Sequence, residues 1–210
     1  MPSGIRPATA PSRSLSTCGK LGRLFFMPSA ISHAIVATAI GKVVKPKQVP
    51  WWYWALGAAV SAAPDLDVIG FHFGVRYGDF LGHRGFTHSL FFAALLAGLV
   101  TIALVGQSQI SRWRLFLYLF LATASHGILD AMTNGGLGVA FFSPFTNARY
   151  FFPFHPIKVS PIGVGRFFSA RGLAVIQSEA QWLWVPSAAV FAVATLVRRA
   201  ISSGPGHRQT

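Results

Sequence analysis

The chain has 210 residues, enough for one domain, and 52% of them are hydrophobic while only 11% are charged. Soluble domains carry about 25% charged residues, so this composition favours a membrane protein. The formal charge is +13, and the basic residues are scattered between long apolar runs. This pattern fits basic residues beside anionic lipid and gives no reason to expect a nucleic-acid partner. The single cysteine, Cys18, excludes an internal disulfide and a thiolate cluster for metal.

Residues 1–26 differ from the rest, because they are rich in Ser, Pro and Gly, hold four basic residues and contain no acidic one. They lack the apolar core of a signal peptide. Two interpretations are open: a disordered basic tail, or a natural start at Met27, and the second is preferred. We then expect a single membrane-embedded helical domain over residues 27–200 and a polar tail over 201–210.

Apolar segments predict an all-α fold: a small multi-helix membrane bundle with a long irregular connector, residues 133–180, before the last helix. The segments cover residues 30–44, 51–66, 87–105, 115–132 and 181–197. The first two are shorter than the roughly 20 residues that a full membrane span requires. Ser32 is a candidate N-cap of the first segment, and Thr87 and Ser89 are candidates for the third.

The ionisable residues are placed unevenly. All four aspartates and four of the seven histidines lie between residues 63 and 130. Three of each lie in three short strings, which run from Pro64 to Asp67, from His83 to Ser89 and from Ser125 to Asp130. A chain this apolar has little use for carboxylates and imidazoles except at a site. His72 and Asp79, in the glycine-rich stretch 67–86, are interpreted as bystanders.

Alternating directions of successive segments bring these strings to one end of the bundle. The opposite end then carries basic clusters near residues 42–47, 112–114 and 198–199. The positive-inside rule makes the basic end cytoplasmic and puts the site at the outer face. Six basic residues run against the rule, since this arrangement places them outside: Arg76, Arg84, Arg149, Lys158, Arg166 and Arg171.

Imidazoles and carboxylates are ligands that zinc and other divalent cations accept, and His126 and Asp130 share one helix face as an i,i+4 pair. One or two ions are expected, zinc in first place. The candidate ligands are His33, Asp65, His83, His88, His126 and Asp130. Asp67 is the candidate general base. Arg84 is a candidate for holding an anionic leaving group or phosphate, or else for an ion pair with an aspartate.

These motifs resemble the YdjM-like family of bacterial inner-membrane-associated, metal-dependent hydrolases. The string His83-Arg84-Gly85-Phe86-Thr87-His88-Ser89 is the most specific part of a match that runs from about residue 27 to about residue 165. The resemblance implies a multi-helix membrane protein with a metal-dependent hydrolase activity.

A more distant similarity is to the zinc-dependent phospholipase C and P1 nuclease class, whose ligands follow a comparable order along the chain. The sequence lacks the second H-x-x-x-E pair and the N-terminal tryptophan ligand of that class. One or two ions are therefore expected here, and not three.

The leading hypothesis is a multi-pass, membrane-bound hydrolase in the bacterial inner membrane. It would act on an ester or phosphodiester, and a lipid of the surrounding bilayer is one candidate substrate. The rival hypothesis is a non-catalytic membrane protein with a structural metal site, or a metal transporter. A transporter usually places ionisable residues near mid-bilayer, whereas here they cluster at segment ends.

Overall fold

The structure is a computed structural model that describes residues 28–45, 48–104, 110–159 and 170–203. The tail 1–26, the Met27 start and residues 204–210 lie outside the described residues, so the expectations for them stay predictions. The described part is an all-α bundle, as the apolar segments predict, and it contains two isolated β-bridges but no strand.

The helices follow the apolar segments. They are α1 (Pro28–Val44), α2 (Trp51–Ala62), α3 (Leu90–Ala103), α4 (Arg112–Ala131), α5 (Ala170–Glu179) and α6 (Val185–Ser202). Two 3₁₀ segments, Ala63–Phe73 and Phe86–His88, lie between α2 and α3. A π-helical stretch, Ala180–Trp184, joins α5 to α6 without a break.

Helix α4 lies at the centre of the bundle and contacts α1, α2 and α3, while α6 packs against α1 from outside. Tyr118 of α4 is fully buried, and its ring stacks on Tyr53 with a centroid distance of 4.2 Å. Gly41 and Gly57 face this ring, and a Cβ on either glycine would collide with it. The two glycines therefore let α1 and α2 close around one aromatic side chain.

Several helix boundaries differ from the predicted ones. Helix α2 ends at Ala62 and not at residue 66, because Pro64 lacks the N–H that an α-helix would require there. The last helical stretch begins at Ala170 and not at residue 181. The predicted start is too late because the first turns contain polar residues, which an apolar-run criterion does not recognise as helix.

Of the three candidate caps, one is confirmed and two are wrong. Ser89 and not Thr87 caps α3, since the Ser89 Oγ accepts a hydrogen bond from the backbone N–H of Phe92 at 3.0 Å. Ser32 lies inside α1, which begins at Pro28. Its hydroxyl instead donates a hydrogen bond to Glu179 at 2.8 Å, so it connects two helices and caps neither.

The exterior of α3 and α6 is apolar. Ile102 is 71% exposed and Ile201 is 75% exposed. Among the described residues, one helical stretch, Gly172–Ile201, is long and apolar enough to cross a membrane, and Ala30–Val44 and Leu90–Ala103 are shorter apolar helices. A multi-pass arrangement therefore stays a prediction.

Candidate metal centre

Three elements bring the polar strings to one end of the bundle. Asp65 and Asp67 lie on the 3₁₀ segment Ala63–Phe73, which has 11 residues, whereas such segments rarely exceed three or four. A 3₁₀-helix turns by about 120° per residue, so side chains two residues apart point in different directions. Gly127 of α4 has no Cβ to collide with the carbonyl oxygen of His88, which lets the second 3₁₀ segment approach α4 closely.

Four side chains form the centre of this end. They are Asp65, His88, His126 and Asp130, and one ligand atom from each lies within 4.8 Å of all the others. His126 Nε2 is 3.3 Å from Asp65 Oδ1, and His88 Nε2 is 3.3 Å from Asp130 Oδ2. The remaining two imidazole–carboxylate distances are 3.8 Å.

These distances fit a common cation better than they fit hydrogen bonds. Within the described part of the chain, the Nε2 atoms of His88 and His126 are buried and have no hydrogen-bond partner. Ligand bonds of about 2.0–2.2 Å in tetrahedral geometry separate the ligand atoms by about 3.3–3.6 Å. The two shorter distances equal that separation and the two longer ones slightly exceed it, so the donor set matches a divalent cation such as zinc.

The opposite ring nitrogen of each histidine is held in place. His126 Nδ1 lies 2.7 Å from the carbonyl oxygen of Ser61. His88 Nδ1 lies 3.2 Å from Asp67 Oδ2 and 3.1 Å from Thr87 Oγ1, which itself donates to Asp67. A metal-binding histidine typically donates its second N–H to a carbonyl or a carboxylate, which fixes the tautomer and the ring orientation. Both histidines therefore present Nε2 to the centre.

Asp67 is surrounded by hydrogen-bond donors. His83 Nδ1 lies 2.8 Å from Oδ1, while Thr87 Oγ1 donates at 2.7 Å and the Arg84 backbone N–H at 3.3 Å to Oδ2. Burial opposes the charge of this carboxylate, but the bonds to His83 and His88 outweigh burial and lower the pKa of Asp67 to about 2. Asp67 is thus a charged acceptor whose oxygens are already engaged.

Arg84 is buried beside the centre. Its Nε lies 3.0 Å from Asp130 Oδ2 and its Nη1 donates to the carbonyl oxygen of Gly135 at 2.8 Å. The structure thus shows the ion-pair alternative for this residue. Its backbone has φ of 63°, a left-handed conformation that is uncommon for a residue other than glycine and that clusters at functional sites.

His33 and His83 lie beside the four-residue group. The His33 ring stacks on His126 at a centroid distance of 3.7 Å, and its buried Nδ1 has no partner among the described residues. His83 forms a second candidate group with Asp67 and His88. The distance of 2.8 Å between His83 and Asp67 is that of a hydrogen bond and is shorter than the ligand separation around one ion. The ligand roles of both histidines stay predictions.

Asp79 and His72, interpreted from the sequence as bystanders, lie outside both candidate metal groups of the described residues. Asp79 is exposed, and its carboxylate accepts a hydrogen bond from the Arg76 backbone at 2.8 Å. His72 is also exposed.

Sequence reasoning missed Glu179, the chain's one glutamate. Its side chain is buried, and its carboxylate accepts the hydrogen bond from Ser32, whose Oγ in turn accepts one from Trp184 Nε1 at 2.9 Å. Ser32 directly precedes His33, so this polar chain lies next to the metal centre. The signal was available, because one glutamate in such an apolar chain is as unusual as the aspartates.

The fold and the centre together define an all-α protein with an apolar exterior and a buried Asp/His group suited to a divalent cation. A family model described as YdjM inner membrane protein matches residues 27–203, and the chain belongs to that family. The inner membrane protein YbcI of Escherichia coli K12 is 39% identical over 166 residues, which cover 76% of this chain and 92% of that protein. No solved structure matches the chain significantly.

Proposed function

We propose that the protein is a membrane-bound, metal-dependent hydrolase acting on an ester or phosphodiester. The carrying observation is the group Asp65, His88, His126 and Asp130, in which two buried imidazole nitrogens face two carboxylates without forming hydrogen bonds. A catalytic ion needs fixed ligands and one side open to substrate. Asp65 supplies such a side, because its side chain is 18% exposed whereas the two imidazoles are 0% exposed.

The four residues of the group would hold the ion. A divalent cation held there would supply Lewis-acid chemistry for hydrolysis. Asp67 and the Ser61 carbonyl keep the two imidazoles oriented, which removes the cost of ordering them during each turnover. Arg84 offsets the charge of Asp130 from the other side.

Asp67 is assigned a positioning role in this proposal. The sequence marks it as a candidate general base, but taking a proton from the attacking water requires a free carboxylate oxygen within hydrogen-bond reach of that water. Both Asp67 oxygens already accept hydrogen bonds from neighbouring residues. The role of general base therefore requires one of these bonds to open.

A lipid is the proposed substrate class, because the centre lies at a bundle end rich in exposed aromatic side chains. In the connector near this end, Phe145 is 83% exposed and Phe154 is 56% exposed. Large exposed apolar side chains that lie together mark contact surfaces, among them surfaces that contact a membrane. The proposal places the centre at the outer face of a multi-pass inner-membrane protein.

The test is hydrolysis by purified, zinc-loaded protein of a panel of phospholipids and soluble phosphodiesters. Hydrolysis that disappears in Asp65→Asn and persists in Asp79→Asn, an aspartate outside the candidate groups, supports the proposal. Full hydrolysis by the Asp65→Asn protein rules it out.

A structural metal is the second candidate, and burial favours it. Both imidazoles are 0% exposed and Asp130 is 10% exposed at the side chain, as in a site closed by protein. Stoichiometric metal, no hydrolysis across the panel and a large loss of thermal stability on chelation would favour this candidate.

A further inference from the structure

An apolar groove of about 770 Å³ runs between α1 and α6. Its walls are mostly small or apolar, with Ala30, Ala34 and Thr38 spaced one turn apart on α1 and Ala188 and Phe191 on α6. The lining from residue 30 to residue 39 rises by about 14 Å along the helix axis. That length is close to one leaflet of a hydrocarbon core about 30 Å thick.

The groove has two chemically different ends. At one end, Trp184 donates its indole N–H to Ser32, which adjoins His33 and hence the metal centre. At the other end, Lys42 Nζ lies 4.6 Å from the centroid of the Phe191 ring. The groove therefore leads away from the centre toward the basic end of the bundle.

The apolar stretch that forms one wall of the groove indicates which kind of molecule the groove binds. One wall belongs to the stretch Gly172–Ile201, which is long and apolar enough to cross a membrane and whose most apolar 18-residue window is only 6% buried. In a bilayer, a groove on the flank of such a helix opens toward lipid chains. We infer that the groove between α1 and α6 binds one acyl chain of a membrane lipid whose polar head lies near the metal centre.

The position of the lipid head group near the metal centre rests on the proposed function. The inference deepens that function by naming an acyl-bearing lipid as the substrate class. The groove itself does not depend on catalysis. Chain binding and hydrolysis can therefore fail separately, and the experiment measures chain binding alone.

The experiment uses the full chain in nanodiscs that contain a phosphatidylethanolamine with a diazirine midway along one acyl chain. After illumination, mass spectrometry locates the labelled residues. Ala188→Phe fills the groove, whereas Ala189→Phe puts the same bulk on the next residue, which is also exposed but does not line the groove. Ala34→Phe repeats the test from the α1 wall.

In the unaltered protein we expect label on the groove-lining turns of α1 and α6. The amount of label on these turns should fall at least fivefold in Ala188→Phe and Ala34→Phe and should not change in Ala189→Phe. Asp65→Asn should label like the unaltered protein, because the chain site lies apart from the ion. Equal labelling of the groove in all variants would overturn the inference. So would label confined to exposed residues outside the groove.

Discussion

Asp65 and Asp67 are two residues apart, yet their surroundings differ completely. Asp65 faces the imidazoles of His88 and His126 with its side chain partly exposed, whereas Asp67 is enclosed by hydrogen-bond donors. The tight turn of the 3₁₀ segment separates them. One aspartate therefore faces the candidate metal centre, and the other contacts the Nδ1 side of His88.

Asp65→Asn is the cleanest test of a ligand. Asp130 is a poorer choice, because removing one partner of the buried pair with Arg84 costs about 3–5 kcal/mol of folding stability. We expect Asp65→Asn to weaken zinc binding by more than the roughly 10–100-fold typical of outer-shell changes, with helicity unchanged. Zinc titration of purified protein measures this, with Asp79→Asn as control. Unaltered affinity would remove Asp65 from the ligand set.

Asp67→Asn separates positioning from acid–base catalysis. If Asp67 orients His88, zinc affinity should fall about 10–100-fold, and activity should recover when zinc is raised to saturation. If Asp67 is the general base, the rate at saturating zinc should fall while zinc affinity stays the same. Zinc titration and saturated-enzyme kinetics on the same preparation distinguish the two results.

Single residues could be predicted in type but not in role. The scarcity of acids in an apolar chain singles out Asp65 and Asp130, and the i,i+4 spacing adds His126 to Asp130. The hydrogen bond between His83 and Asp67 depends on how residues 67–86 fold, and no periodicity in the sequence encodes that path. The ion pair of Arg84 likewise depends on a left-handed backbone conformation that an arginine gives no reason to expect.

Tyr118 is the side chain around which α1, α2 and α4 meet. It is buried between Gly41 and Gly57, and the space that a glycine leaves is filled by the aromatic ring. Because α4 also carries His126 and Asp130, the packing of α1 and α2 around Tyr118 helps to set the position of these two side chains.

Gly57→Ala should destabilise the bundle, because the added Cβ collides with the Tyr118 hydroxyl. Overpacking of this kind costs about 1–3 kcal/mol. Gly98→Ala in α3 is the matched control, since a Cβ there meets no atom within 4 Å and alanine is the better helix former by about 1 kcal/mol. Thermal unfolding in detergent compares them. A Gly57→Ala protein as stable as Gly98→Ala would contradict this account of the packing.

At the level of elements, the sequence predicts helices well where apolar runs are long and less well where polar residues enter. The segments that become α1, α3 and α4 are recognisable from their apolar composition. The start of α5 was missed, because its turns include polar residues such as Gln177 and Glu179. Burial of Glu179 against Ser32 is a tertiary contact across 147 residues, which local pattern does not reveal.

The whole molecule has a basic end and an opposite end that carries the candidate metal centre, called the metal end below. Arg198 of α6 donates hydrogen bonds to the carbonyl oxygens of Val43 and Lys45, which joins the far ends of α1 and α6. Arg149, which runs against the positive-inside rule, donates instead to the carbonyl oxygens of His83 and Tyr77 and so has a structural task at the metal end. The alternating directions of successive apolar segments predict that the basic clusters and the Asp/His strings lie at opposite ends of the bundle.

Orientation in the membrane follows from that separation. With Cys18 replaced by Ser, a single cysteine at Phe145 should react with a membrane-impermeant maleimide in intact cells. A single cysteine at Ser203, beyond the basic end of α6, should react only after permeabilisation, because basic ends stay cytoplasmic. The reverse labelling pattern would place the metal centre on the cytoplasmic side.

The central claim is that Asp65, His88, His126 and Asp130 hold one divalent cation. Elemental analysis of protein purified without added metal, followed by X-ray absorption at the metal edge, tests it most directly. The account predicts about one ion per chain, most often zinc, bound to two imidazoles with oxygen as the other ligands and no sulfur. Substoichiometric metal after zinc reconstitution, or full occupancy and an unchanged spectrum in a His88→Ala, His126→Ala double variant, would contradict it.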